Sequence, residues 1–303
     1  MKIPRPRDNI YGMKGLILTN AYTLLPQVEH QCARMQEEFS RLGVQTRVMR
    51  NNFFAAYLDE GEIRSKISGF DFCLYLDKDK YISHMAERAG VRLFNKAAAI
   101  EACDDKMTTA LTLANHGIPM PKTLPGMLCY DPAAKPDISA LKEAGEQLGY
   151  PVVIKSCYGS MGKGVFLAEN ADELIRAAKD LLCTPHLFQS FVPQSRGRDL
   201  RVIVIGGKAL CCMERRSDRD FRANIAAGGT GAQTSLPREA AVLAEKAARL
   251  LDLDYCGVDL LFGKDGFLLC EVNSNAFFTG MEQVSGVNVA KAYAEHIVNS
   301  LAK

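Results

Sequence analysis

No stretch of 18 apolar residues occurs in the chain, which argues against a membrane-spanning helix. Net charge is almost absent. Against 37 Lys and Arg stand 35 Asp and Glu, leaving +2, so no global field draws the protein to nucleic acid or to an anionic membrane. None of the ten cysteines falls in a C-x-x-C pair, and most sit in apolar runs. They read as small buried hydrophobes in a reducing, cytoplasmic compartment, and a metal site built on them is not expected. The five histidines, at 30, 84, 116, 186 and 296, are scattered, so no Ser-His-Asp arrangement can be argued. Cys211-Cys212, inside a strand pattern, reads as core rather than nucleophile. There is no internal repeat and no low-complexity linker. The opening MKIPRPRDNIYGMKGLILTN has too short an apolar core for secretion and reads as a leader into a first strand.

What is present is ordinary globular composition, 48% apolar and 24% charged, over 303 residues, long enough for about two domains with real cores. Residues 15–20, 44–49, 70–76 and 91–94 read as strands. Residues 28–42 and 82–89 read as helices stopped by Gly43 and Gly90. This alternation predicts a small parallel α/β domain ending near Asn95. Residues 97–116 read as one helix ending at Gly117. An extended, proline-bearing stretch and a helix over 138–148 follow. From Pro151 the pattern is strand-rich, interrupted by helices over 172–182 and 238–251.

Four features carry candidate chemistry. The first is a strand, PVVIK, then a glycine-rich turn with Gly159, Ser160, Gly162 and Gly164, then a second strand. Glycines let backbone N–H groups approach an anion, and Lys155 brings a charge to the same place. It is neither a Walker A loop, which needs Gly at 157 and Ser or Thr at 164, nor a Rossmann fingerprint, since a strand follows instead of a helix. Either it cradles phosphate or it is a flexible hairpin loop. The second is the hairpin around Lys264-Asp265-Gly266. A three-residue turn would pair 263 with 267 and set Asp259 opposite Glu271, with Asn273 on the same face. Two facing carboxylates need a cation between them. That cation is either Mg²⁺, which suits three oxygen ligands with open positions, or a neutralising Arg or Lys. The third is an arginine-rich stretch, in which Arg201, Arg215, Arg216 and Arg222 suit an anionic cleft while Arg196, Arg198 and Arg219 read as solvated. Poor aromatic interleaving argues against nucleic acid there. The fourth, Gln189-Ser190-Phe191-Val192, is an extended segment able to read an adenine edge.

Taken in order, DDK at 104–106, GIPMPKT, PVVIKSCYGSMGKGV, FQSFV, GRDLRVIVIGG, MERR…DFRAN and GVDLL…LCEVNSN resemble the ATP-grasp enzymes, most closely the RimK branch of glutamate ligases. The resemblance covers about residues 95–290. It implies a mixed α/β and α+β fold. An N-terminal pre-ATP-grasp α/β domain spans 1–96, a central lid subdomain 97–190 and a C-terminal subdomain 191–303, with the nucleotide between two antiparallel sheets. It also implies an ATP-dependent carboxylate–amine ligase working through an acylphosphate, with an amino acid such as glutamate as the amine. The carboxylate belongs to a peptide, protein or metabolite. By the same resemblance, Lys106 and Lys155 reach the phosphates and the loop with Gly159, Ser160, Gly162 and Gly164 closes over them. Gln189, Ser190, Phe191 and Val192 line the adenine slot, Ser190 standing where the branch usually has an acid. Asp199 holds the ribose. Arg222, Ala223 and Asn224 match a segment near the γ-phosphate. Asp259, Glu271 and Asn273 match the ligands of two Mg²⁺ ions, with Mn²⁺ as a substitute. Arg215 or Arg222 stabilises the transition-state charge. Proteins of the branch often self-associate. The competing readings are an ATP-grasp small-molecule kinase and a nucleotide-binding regulator without turnover.

Overall fold

A computed structural model describes residues 12–225 and 228–302; the leader read at the N-terminus lies largely outside them. The apolar run of the first strand, β1 (Lys14–Thr19), is buried from Gly15 to Thr19 and sits between neighbours on both sides. Helix α1 (Pro26–Arg41) returns the chain to β2 (Gln45–Arg50), parallel to β1. A hairpin that the sequence pattern does not reveal follows, β3 (Ala56–Asp59) and β4 (Glu62–Ser65). Then come β5 (Phe72–Leu76), α2 (Lys80–Arg88) and β6 (Leu93–Phe94). The sheet order β2-β1-β5-β6 is all parallel among its described pairs. Because β1 has β2 on one side and β5 on the other, its two crossovers diverge. They leave a crevice at the carboxyl ends of β1 and β5.

The stretch expected as one helix is two, α3 (Ala97–Asp104) and α4 (Lys106–Leu113). Asp105 takes an extended backbone and caps α4, accepting from Met107 N–H at 2.8 Å and Thr108 N–H at 3.1 Å. An Asp outcompetes helix continuation at such a position because its short carboxylate satisfies orphan amides. The break sets Lys106 at the first turn of α4. Ala99, Cys103 and Leu113 of these helices pack into the core beneath the C-terminal sheet, not into the central unit with which the sequence grouped them.

The central sheet has the order β7-β10-β8-β9 and is antiparallel in its described pairs: β7 (Thr123–Pro125), β8 (Val152–Ser156), β9 (Val165–Ala168) and β10 (His186–Ser190). Helices α5 (Ile138–Leu148) and α6 (Ala171–Asp180) cover it. The third sheet, in the order β13-β12-β11-β14-β15, is also antiparallel. Its strands are β11 (Arg198–Ile205), β12 (Lys208–Arg216), β13 (Thr230–Gln233), β14 (Tyr255–Gly263) and β15 (Gly266–Asn273). Helix α7 (Arg238–Leu250) covers one face. On the other, α8 (Thr279–Ser285) and α9 (Val289–Leu301) share a core with α1, β1 and β5. Asn95 ties the first sheet to the third. Its amide donates to the carbonyls of Tyr255 and Ser274, both at 2.8 Å, and its Oδ1 accepts from the N–H groups of Asp254 and Tyr255. A buried amide satisfied on all sides fixes one packing of the two sheets.

The register of β14 and β15 places Asp259 opposite Glu271, as the sequence suggests, by a different route. The turn is a two-residue one that pairs Gly263 with Gly266, and the missing residue of offset is supplied by an irregularity between Asp259 and Leu260. The bulge swings the following residues while restoring the facing pair.

Candidate functional site

Between the central and third sheets lies a cleft of about 100 Å³. Its wall contains Lys106, Lys155, Gly159, Ser160, Gly162, Gln189, Ser190, Phe191, Val192, Asp199, Arg222, Ala223 and Asn224, together with Glu271. They span 165 positions of the chain, from Lys106 to Glu271, and are brought together by the ends of β8, β10, β11 and β15. Gly164 is the exception. It has a positive φ of 72°, its carbonyl accepts from Ser156 N–H at 2.8 Å, and a Cβ there would meet Ser156 at 2.9 Å. It closes the β8–β9 turn rather than lining the cleft.

Charge in the cleft is unevenly compensated. Lys155 is buried, 8% exposed, and its Nζ donates to the Cys270 thiol at 3.7 Å. No carboxylate pairs with it among the described residues. A buried ammonium without a counter-ion is costly, so the site is built to receive an anion. Lys106 Nζ donates to Gly159 O at 3.1 Å and lies 3.7 Å from Glu271 Oε1, linking the glycine loop to β15. Arg222 pairs with Asp220 and also donates to Gly162 O and, at 3.3 Å, to Val165 O, so it grips the same loop from the third sheet. The apolar wall includes Phe191 and Phe221, edge to face with centroids 6.4 Å apart. Sequence reasoning missed Phe221, Lys163, Leu261 and Cys270. Phe221 was within reach, inside the DFRAN string, whereas Leu261 and Cys270 emerge only once the hairpin register is known. Arg198 is also corrected. Read as solvated, it lies over the Phe262 ring at 3.9 Å, 3.0 Å from Glu214, and lines the cleft. Arg196 rests on Phe191 at 5.5 Å.

Beneath the cleft, carboxylates and guanidiniums alternate. Arg215 donates from Nε and Nη2 to Asp199 at 2.6 and 2.7 Å, and from Nη2 to Asp259 at 2.9 Å. Arg201 holds Asp259 with two bonds of 2.7 Å. Asp199, expected at the ribose, therefore has both oxygens committed. Burial raises its pKa against the pull of Arg215. Burial acts the same way on Asp259, but Arg201 and Arg215 outweigh it and hold that carboxyl below the ordinary range. Of the two cations weighed for the Asp259–Glu271 pair, the structure shows the guanidinium. Guanidinium neutralises Asp259, yet Asp259 Oδ1 accepts only from Arg201 Nε and keeps a lone pair free among the described contacts. Glu271 is half-buried, and Asn273 Nδ2 is buried with no partner among the described residues. Three oxygen donors on one face suit a hard divalent ion.

A second, larger cavity of about 570 Å³ adjoins the first and shares Ser160, Asn224 and Glu271 with it. One wall is the third sheet, with Arg201, Arg215 and Asn273. The other is the crevice of the first sheet, with Asn20, Tyr22, Asp77 and Lys78. Glu271 stands where the two cavities meet.

A cleft between two antiparallel sheets, roofed by a glycine loop and floored by a carboxylate hairpin, also matches known proteins. The RimK-like ATP-grasp domain matches residues 103–297. This chain belongs to the RimK-like ATP-grasp family. It is 36% identical over 228 residues to human N-acetylaspartylglutamate synthase A, covering 74% of this chain and 57% of the relative. It is 34% identical over 215 residues to a protein named "Probable alpha-L-glutamate ligase" from Marinomonas sp. (strain MWYL1), covering 70% and 68%. The chain thus spans a little over half the length of the first of these relatives. In three dimensions it is similar to D-cycloserine synthetase, with a TM-score of 0.74 at 17% identity over 95% of this chain and 99% of that one. It is also similar to a RimK-domain ATP-grasp protein of Sphaerobacter thermophilus, with a TM-score of 0.68 at 21% identity over 93% and 99%. The ATP-grasp match takes in the whole cleft but leaves Asn20, Asp77 and Lys78 outside it. No helix of the described residues is long and apolar enough to cross a membrane.

Proposed function

We propose that the protein is an ATP-dependent, ADP-forming carboxylate–amine ligase. Nucleotide occupies the first cleft, with the base against Phe191, Val192 and Phe221 and the phosphates toward Lys106, Lys155 and the glycine loop. Asp259, Glu271 and Asn273 hold Mg²⁺, as one or two ions replaceable by Mn²⁺, which would neutralise phosphate charge and align the γ-phosphoryl group. The substrate carboxylate enters from the second cavity and attacks that phosphoryl group, giving an acylphosphate and ADP. An amine then displaces phosphate to form the amide. Phosphoryl transfer asks for positioning and charge neutralisation more than for covalent help, which fits a site of cations and backbone donors. Arg222 steadies the loop and faces the developing charge, while Arg215 supports the cavity wall from below.

The observation that carries this reading is the position of Glu271, at the junction between a cleft with an uncompensated buried lysine and a second charged cavity. The names of the relatives support an amino acid as the amine and a small carboxylate as its partner. The ten free cysteines, seven of them buried, support a reducing, cytoplasmic setting.

The test is ADP and phosphate release with Mg-ATP over N-acetyl-L-aspartate, citrate and other carboxylates, each with L-glutamate. Glu271→Gln is expected to abolish release. Turnover that survives this change removes the metal assignment. Hydroxylamine distinguishes a ligase from a kinase, because only an acylphosphate yields a hydroxamate.

A further inference from the structure

The charged side chains around the second cavity are balanced in pairs, with one exception. Lys78 Nζ lies 2.9 Å from Asp104, Arg201 and Arg215 hold Asp259, and Glu271 faces Lys106. Asp77 has no cationic partner among the described residues. Among the described residues its carboxylate accepts from neutral donors, Asn20 Nδ2 at 3.2 and 3.3 Å, the N–H of Lys78 at 2.7 Å and the N–H of Asp79. Asn20 is itself locked, since its Oδ1 accepts from Tyr22 N–H at 2.9 Å. Burial, with Asp79 nearby, pushes the Asp77 carboxyl upward against the pull of these donors. An anion held half-buried, oriented and unpaired on a cavity wall is a receptor for a cation.

Its place in the fold points the same way. Asn20 directly follows β1 and Asp77 directly follows β5, the two adjacent parallel strands whose crossovers diverge. The crevice outside the carboxyl ends at such a switch point is where open parallel sheets seat ligands. Across the cavity stand the guanidiniums of Arg201 and Arg215. Asp199 and Asp259 already neutralise them, so the wall left to be satisfied is Asp77, and it calls for an ammonium.

We infer that Asp77, oriented by Asn20, is the specificity-determining anchor for the ammonium group of the amine substrate, an amino acid; that group loses one proton to water before its nitrogen attacks and a second to the departing phosphate. The inference rests on the ligase reading. Its residues lie outside the matched ATP-grasp domain, so they set which amine is chosen rather than how ATP is used.

Hydroxylamine separates the two. It is a small, neutral nucleophile that reports acylphosphate formation without needing an ammonium anchor. The wild type is first assayed with Mg-ATP, the carboxylate panel and hydroxylamine. No hydroxamate from any carboxylate refutes the ligase reading itself. With the active carboxylate fixed, the twenty L-amino acids are tried as amines, L-glutamate first. Asp77→Asn is expected to form hydroxamate at the wild-type rate, with an unchanged KM for ATP. Its KM for the amino acid should rise about 30-fold, the scale of losing a partly buried charge partner. Asp77→Glu should recover part of that loss. An unchanged amino-acid KM in Asp77→Asn overturns the inference. Where Asp77→Asn also loses hydroxamate formation, Asn20→Ala decides, since it keeps the charge and frees its orientation. A raised amino-acid KM with intact hydroxamate supports the anchor, and an unchanged one overturns it.

Discussion

Arg215 offers the sharpest test of the charge ladder beneath the site. The side chain is 3% exposed and saturates Asp199 with two short bonds while sharing a third with Asp259. Replacing it by Met keeps much of the volume, so the cavity contribution is small. The electrostatic contribution is not. Asp259 retains its two bonds to Arg201, but Asp199, 6% exposed, loses its only direct cation among the described residues. Removing one partner of a buried pair costs about 3–5 kcal/mol, because the remaining charge stays desolvated. In a protein of this size that lowers Tm by on the order of 10 °C. The loss carries a pH signature. Burial already raises the Asp199 pKa in the folded state, and without Arg215 it rises further. A folded carboxyl above its unfolded value of about 4 binds protons more readily than the unfolded chain. The deficit of Arg215→Met relative to wild type is therefore smallest near pH 4.5. It grows as pH rises toward the raised value and is largest at pH 8. Adding Asp199→Leu removes the stranded charge and is expected to restore most of the stability at pH 8. Thermal melts of the three proteins at the two pH values measure this. A deficit that is equal at both, or absent at pH 8, would refute the ladder.

Three further outcomes follow from separate parts of the structure. Asn95→Ala strands two buried carbonyls and two N–H groups between the first and third sheets. Chemical denaturation should show a loss of about 3 kcal/mol or more. Lys155→Met removes a buried, unpaired ammonium. It should raise Tm by roughly 2–6 °C, a gain of about 1–2 kcal/mol, while ATP binding followed by titration falls at least about 30-fold. A variant that binds ATP normally contradicts the phosphate role. The glycine loop is held by Lys106 and Arg222 through the carbonyls of Gly159 and Gly162. Its amides should gain hydrogen-exchange protection on adding Mg-ATP, and equal exchange in both states would remove the lid role.

The first cleft was legible in the sequence, and the second cavity was not, for one physical reason. The residues that line the first cleft sit in short local patterns whose spacing survives folding. Gly159, Ser160 and Gly162 come from one turn, Gln189 to Val192 from one strand end, and Arg222 to Asn224 from one loop. Even the Asp259–Glu271 pairing was readable by counting along a hairpin, although the offset lay in a bulge rather than in the turn. Helix boundaries were less secure. A run of helix formers at 97–113 hides the capping power of Asp105, which splits the helix and aims Lys106 into the cleft. The second cavity depends on partners that no local pattern relates. Asn20 meets Asp77 across 57 residues, and the opposing Arg201 lies more than a hundred residues farther on. What made Asp77 conspicuous was the pairing of every other charge around it, a property of the assembled walls that spacing cannot encode. Sequence thus revealed the half of the site proposed to grip a nucleotide. The half proposed to select the substrates became readable only when the first and third sheets were brought face to face.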